Sequence, residues 1–118
     1  MKKSNGRTQI AAWNTHPGEI LREEFLKPMN LSVYRLAQEI HVPAPRVNDI
    51  VLEKRGISAE TAIRLARFFG TTEQFWMNLQ SSYEIRKAKA ELQGEVQKIR
   101  PQTAQGRAAA SSGDRAIG

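Results

Sequence analysis

The side chains best equipped for chemistry fall into three groups. Glu19, Glu23 and Glu24 place two or three carboxylates near one helical face, the raw material of general acid–base catalysis. No nucleophile partner and no pocket that would raise a carboxyl pKa accompanies them. A solvated acidic face, able to meet a basic protein, is the better reading. His16 and His41 are isolated, without the ligand spacing of a metal site, and the chain has no cysteine. The sequence therefore predicts no metal, no cofactor and no catalytic constellation. The third group is Arg46, Asn48 and Asp49, with Lys54 and Arg55 a few residues on. An arginine can donate two hydrogen bonds to guanine, and an asparagine can pair with adenine or bond a phosphate. Lysine and arginine in a loop are suited to backbone phosphates.

Charge narrows the partner. The chain has 118 residues and a formal charge of +6. Residues 1–15 carry three basic side chains and no acid, residues 16–92 carry 11 basic against 10 acidic, and residues 93–118 carry four against two. The excess lies mostly in the ends, so a polyanion-binding face on the nearly neutral middle must be a local patch. The longest apolar run is Ile10–Trp13, far short of the roughly 20 residues of a membrane span. Lys2 and Lys3 lead into polar residues rather than an apolar stretch, which argues against a secretory signal. A soluble cytoplasmic protein without a membrane partner is expected.

The elements that must carry these residues are helical, and punctuation marks their ends. Pro17 suits a first helical position and Glu19 complements the dipole, with Ile20, Leu21 and Phe25 inward and Pro28 ending the helix. Ser32 is an N-cap candidate for a second helix burying Val33, Leu36, Ala37 and Ile40. After His41-Val42, Pro43 opens a third helix burying Val47, Ile50 and Val51. Ser58 caps a fourth with Ala62, Ile63, Ala66 and Phe69 inward, stopped by Gly70. Thr72 caps a fifth with Phe75, Trp76, Leu79 and Tyr83 on one face. The predicted class is all-α. Phe68, Phe69, Phe75 and Trp76 read as core rather than as a stacking platform for single strands, with Trp13 available to cover them. Arg64 and Arg67 read as a solvated helix face. The expected organisation is a flexible arm over 1–14, one compact domain over 15–92, and a helix extension with a disordered tail over 93–118.

Residues 32–50 place two short helices around a three- or four-residue turn, a helix-turn-helix pattern. Leu36, Ala37, Ile40, Val42, Val47 and Ile50 would lock the pair, leaving Ala44, Pro45, Arg46, Asn48 and Asp49 to project outward. Ser32 and Arg35 sit at the start of helix two, where phosphate is favoured. The pattern resembles the Cro/lambda-repressor-like (XRE) helix-turn-helix family. More narrowly, it is similar to the HigA antitoxins of HigB–HigA modules, also known as VapI-type antitoxins. The narrower likeness rests on His16-Pro17-Gly18-Glu19-Ile20-Leu21, Val42-Pro43 with Arg46-Val47-Asn48, and Lys54–Ala62. It continues through Arg64–Gly70 and Phe75-Trp76-Met77-Asn78-Leu79-Gln80 to Tyr83, so it covers residues 16 to about 90.

The resemblance implies a five-helix DNA-binding domain that represses its own operon as a dimer and neutralises a HigB/RelE-like ribonuclease toxin. Double-stranded operator DNA, that toxin and a second copy are the implied partners. Two departures from the general pattern matter. His41 occupies the turn position usually held by glycine and must tolerate a left-handed or strained backbone. Pro43 and Pro45 occupy the first turn of helix three, where missing amides are tolerated but cannot donate to phosphate or base. Base reading would fall on Arg46, Asn48 and Asp49. Ile85, Ala88, Leu92, Val96 and Ile99 form an apolar stripe on an extended helix five, readable as a dimer or toxin surface or as a frayed end. Two other readings stand beside the first: a solitary repressor without a toxin, and a protein-interaction module with little DNA readout.

Overall fold

The computed structural model describes residues 14–102. The expectations for Ile10, Trp13, most of the N-terminal arm and the tail beyond 102 lie outside them. Among the described residues the fold is all-α, with five helices, a short 3-10 turn and no strand. None of these helices is long and apolar enough to cross a membrane.

Helix α1 spans Pro17–Ile20 and runs on without a break into a π-helical stretch, Leu21–Leu26. Pro17 takes the first helical position, and the His16 ring caps it by accepting the Gly18 N–H at 2.8 Å. In the π stretch the Lys27 amide reaches back five residues to the Arg22 carbonyl at 3.0 Å. This wider turn lets Leu21 and Leu26 both enter the core. Helix α2 is Val33–Ile40, with Ser32 Oγ accepting the Arg35 amide at 3.0 Å. Helix α3 is Ala44–Val51, entered through Pro43. Helix α4, Ala59–Phe69, starts at a Ser58 cap and ends at Gly70, whose φ of 75° is the left-handed value that favours glycine. Helix α5 is Glu73–Glu91, its first turn capped by Thr72 Oγ1 on the Phe75 amide.

One apolar core joins the five helices. Leu21, Leu36, Ile40, Val47, Ile50, Ile57, Ala62, Leu65 and Trp76 are buried in it. Each large aliphatic side chain there contributes about 1.5–3 kcal/mol by leaving water. Phe25 stacks in a tilted arrangement on Phe69 and Trp76, with ring centroids 4.8 and 5.0 Å away. The Trp76 indole N–H donates to Thr71 Oγ1 at 2.7 Å, so the buried ring leaves no unpaired donor. Trp76 lies in the core with Phe68 and Phe69 packed against it, whereas Phe75, expected there too, is 36 % exposed and edges onto Trp76.

Three expectations are corrected. Ile63 points outward and is 54 % exposed, while Leu65 is buried. Ala62, Leu65, Ala66 and Phe69 keep the 3–4–7 spacing of one face, and Ile63 lies one residue off it. Helix α5 ends at Glu91 rather than running toward Arg100. Gly94, with a φ of 90°, turns the chain into the 3-10 turn Val96–Lys98. The stripe of Ile85, Ala88, Leu92, Val96 and Ile99 is therefore not one helical face: only Ile85 and Ala88 lie on α5, and Ile99 is extended.

The chain divides between Ala88 and Lys89 into two compact units. Within the second, Leu92, Val96 and Ile99 are all exposed, and Lys98 pairs with Glu95 at 3.4 Å.

Candidate nucleic-acid interface

Helices α2 and α3 meet through a turn of three residues. Helix α2 ends where His41 adopts a left-handed conformation, φ 60° and ψ 48°, in the position where glycine is usual. The turn closes through the Val42 amide on the Ala37 carbonyl at 3.0 Å. Val42 then drops into the core, and small, buried Ala37 lets α3 approach. Pro43 supplies the carbonyl that accepts the Arg46 amide at 3.0 Å, starting α3 without a side-chain cap.

The inward residues of α3 are Val47, Ile50 and Val51. At 100° per residue, the direction opposite them is shared by Pro45 and Asp49, with Asn48 and Arg46 about equally far off to either side. Pro45 and Asn48 are exposed and Asp49 is half-buried. Arg46 lies on the flank and is half-buried, as is Ala44, which packs on the core. Lys54 and Arg55 are exposed in the loop after α3. Among the described residues, no carboxylate forms a salt bridge with Arg46, Lys54 or Arg55, so all three cations are available to a polyanion.

Ser32 and Arg35 sit at the start of α2, where the helix dipole favours an anion. The Ser32 hydroxyl is engaged as the cap. Arg35 pairs with Glu39 at 2.7 Å on the surface, an ion pair worth under about 1 kcal/mol and open to competition from a phosphate.

Several side chains that hold α3 in place escaped sequence reasoning. Gly18 packs so closely on α3 that a Cβ there would lie 1.8 Å from the Ile50 carbonyl oxygen. The Arg22 guanidinium donates to the Val51 carbonyl at the end of α3 and to Glu53 at 3.3 Å, while also pairing with Glu23 at 3.0 Å. Glu53, like His41, is a left-handed non-glycine residue, with a φ of 64°. Arg64, expected on a solvated helix face, is only partly exposed and also donates to the Ile40 carbonyl at 2.9 Å. Gln80 is buried and accepts the Ile57 amide at 2.7 Å, fixing the loop that carries Lys54 and Arg55. Only the His16-Pro17-Gly18 block carried a signal for any of these contacts.

The titratable groups fit a binding surface. Burial pushes the His16 imidazole below its ordinary value, as Nδ1 must stay unprotonated to accept the Gly18 amide; Glu53 opposes this and Arg22 adds to it. The hydrogen bond from Lys27, together with Arg22, holds the Glu23 carboxyl below the usual range against its desolvation. A carboxylate held ionised in this way is a poor general acid. Tyr83 packs edge-on against His16 with centroids 4.8 Å apart, tying α5 to the start of α1.

Comparison with known proteins agrees with this geometry. A family model described as helix-turn-helix matches residues 23–76. Virulence-associated protein I of Dichelobacter nodosus is 54 % identical over 88 residues, which cover 75 % of this chain and 80 % of that protein. A Pseudomonas aeruginosa protein solved with its 18-bp operator DNA has a TM-score of 0.75 and 52 % identity, covering 76 % of this chain and 96 % of that one. The Pseudomonas aeruginosa antitoxin HigA, solved with the higBA promoter, has a TM-score of 0.72 and 53 % identity, covering 75 % and 97 % respectively. Both Pseudomonas aeruginosa proteins are thus seen on operator or promoter DNA, and one of them is an antitoxin.

Proposed function

We propose, for a chain that belongs to the HigA-type (VapI-type) antitoxins of the XRE-like helix-turn-helix family, that α3 reads the operator of the chain's own promoter. The observation that carries this is the outward face of α3. Pro45, Asn48 and Asp49 project from it, and three cations that form no salt bridge among the described residues, Arg46, Lys54 and Arg55, flank it. In this reading Asn48 and Asp49 meet base edges, and Ala44 and Pro45 offer apolar contact to thymine methyls. Arg46, Lys54, Arg55, Arg35 and the Ser32 end of α2 position the phosphates. Phosphate contacts supply most of the affinity and make it salt-dependent.

The chain acts as a homodimer on a palindromic operator, with half-site centres about one helical turn, roughly 34–36 Å, apart. Ile85 and Ala88 on α5 supply exposed apolar surface for the second copy or for a toxin, and Leu92, Val96 and Ile99 supply such surface within the second unit. As an antitoxin the chain neutralises a small HigB/RelE-like ribonuclease encoded beside it. The name of a relative, antitoxin HigA-1 of Vibrio cholerae, 31 % identical over 84 residues, supports that role. A chain that binds its own promoter acts in the cytoplasm.

Two experiments test these claims. Electrophoretic mobility shift on the chain's own promoter should give a retarded complex that alanine at both Asn48 and Asp49 weakens, by about 1–3 kcal/mol for each base-edge interaction removed. Co-expression with the neighbouring small reading frame should rescue growth that the frame alone arrests. A frame that is harmless alone would remove the toxin and favour a solitary repressor. Arrest that the chain does not relieve would contradict its role as antitoxin.

A further inference from the structure

Arg64 lies in the middle of α4, outside the face proposed to meet DNA, and its side chain crosses to the end of α2. Nη1 donates to the Ile40 carbonyl at 2.9 Å and approaches the His41 carbonyl at 3.4 Å. Nε and Nη2 both donate to Glu60 Oε2, at 3.2 and 3.0 Å. Glu60 lies one helical turn earlier, so the guanidinium is held from behind while its front engages α2. An open cleft lined by Glu39, Ile63, Arg67 and Phe68 separates α4 from the end of α2 at this point, and Arg64 bridges it.

The last carbonyls of a helix have no intrahelical partner, and a cation there is favoured by the helix dipole. Here those carbonyls belong to the residue that begins the turn and the one before it. His41 is left-handed without being glycine, a conformation that persists only where its surroundings over-determine it. Only Val42 and Pro43 separate His41 from α3, so the backbone angles at His41 set the direction in which α3 leaves.

We infer that Arg64 is a positioning residue for the recognition helix: it holds the His41 turn left-handed and so aims α3. The inference rests on the reading of α3 as the DNA-contacting helix. With both its Nη1 and its Glu60-paired edge engaged, Arg64 acts through the turn and not through a phosphate.

The test uses the full chain with Arg64→Gln, the conservative Arg64→Lys, and Arg64→Gln combined with His41→Gly. Hydrogen exchange without DNA should show the non-proline amides from Val42 to Val51 losing protection in Arg64→Gln, while those of Leu65 and Trp76 keep theirs. Operator affinity should fall about tenfold, the effect of removing one charge-assisted hydrogen bond, with an unchanged salt slope. Arg64→Lys should fall between the two. Glycine at position 41 should restore most of the affinity, because it holds the left-handed conformation unaided. Uniform loss of protection across the domain, or unchanged operator affinity, would overturn the inference. So would a salt slope reduced by about one, the mark of a missing phosphate interaction. If the wild-type chain does not prefer its operator, the DNA reading fails, while the exchange pattern still decides whether Arg64 aims α3.

Discussion

Gly18 offers the sharpest single perturbation. It is buried in the first turn of α1, and a methyl group added to it would lie 1.8 Å from the Ile50 carbonyl oxygen and 2.9 Å from the carbonyl carbon. The shorter distance is about half the roughly 3.5 Å of a comfortable contact, and both partners are backbone, so no rotamer change relieves it. Helices α1 and α3 must part. Overpacking a core costs about 1–3 kcal/mol, and a backbone-on-backbone clash belongs at the upper end or beyond. For a domain of this size, a loss of about 3 kcal/mol lowers Tm by roughly 12–24 °C. Circular dichroism at 222 nm during heating of Gly18→Ala measures it directly. Because Ile50 belongs to α3, operator affinity should also fall at a temperature where the variant is still folded. A Tm within about 4 °C of wild type would refute the close α1–α3 approach and with it the stated role of the His16-Pro17-Gly18 block.

Other expectations follow from the same contacts. The His16 imidazole is held below its ordinary value of 6.5 in the folded chain, so the unfolded chain binds more protons as pH drops. Its contribution is complete above about pH 6.5 and is lost as pH falls through the folded value; the urea midpoint between pH 8 and 5 should show this, and His16→Asn, a cap that does not titrate, should flatten it. Ile63→Ser should change stability by no more than about 0.5 kcal/mol, whereas Leu65→Ala should cost about 2–5 kcal/mol by urea unfolding. Gln80→Leu strands the buried Ile57 amide and should cost about 1–3 kcal/mol in the same assay.

What the sequence made legible is what short-range chemistry decides. Ser32, Ser58 and Thr72 cap helices through their own neighbours three residues on, and Gly70 ends α4 through its own backbone freedom. Composition alone therefore places these ends. His41 was legible for the same reason: a turn of fixed length demands a left-handed residue wherever it occurs. The register of α4 was harder, because Ile63 and Leu65 are both aliphatic, and only the three-dimensional position of the neighbouring helices decides which is buried. The end of α5 is hard to place, because the apolar spacing of Leu92, Val96 and Ile99 imitates a helix that Gly94 interrupts. Arg22, Arg64 and Gln80 were invisible as structural residues. Their partners are backbone groups 23 to 29 positions away, and a polar side chain gives no sign of which distant carbonyl or amide it will meet.

Fluorescence anisotropy of the full chain on a labelled duplex from its own promoter, against a scrambled duplex of equal length and composition, tests the assignment of α3 most directly. If α3 reads the operator, the promoter duplex binds at least about a thousandfold more tightly at physiological salt, and alanine at Asn48 and Asp49 erodes that preference more than it weakens binding to the scrambled DNA. Equal affinity for the two duplexes, or a preference untouched by those substitutions, would contradict it.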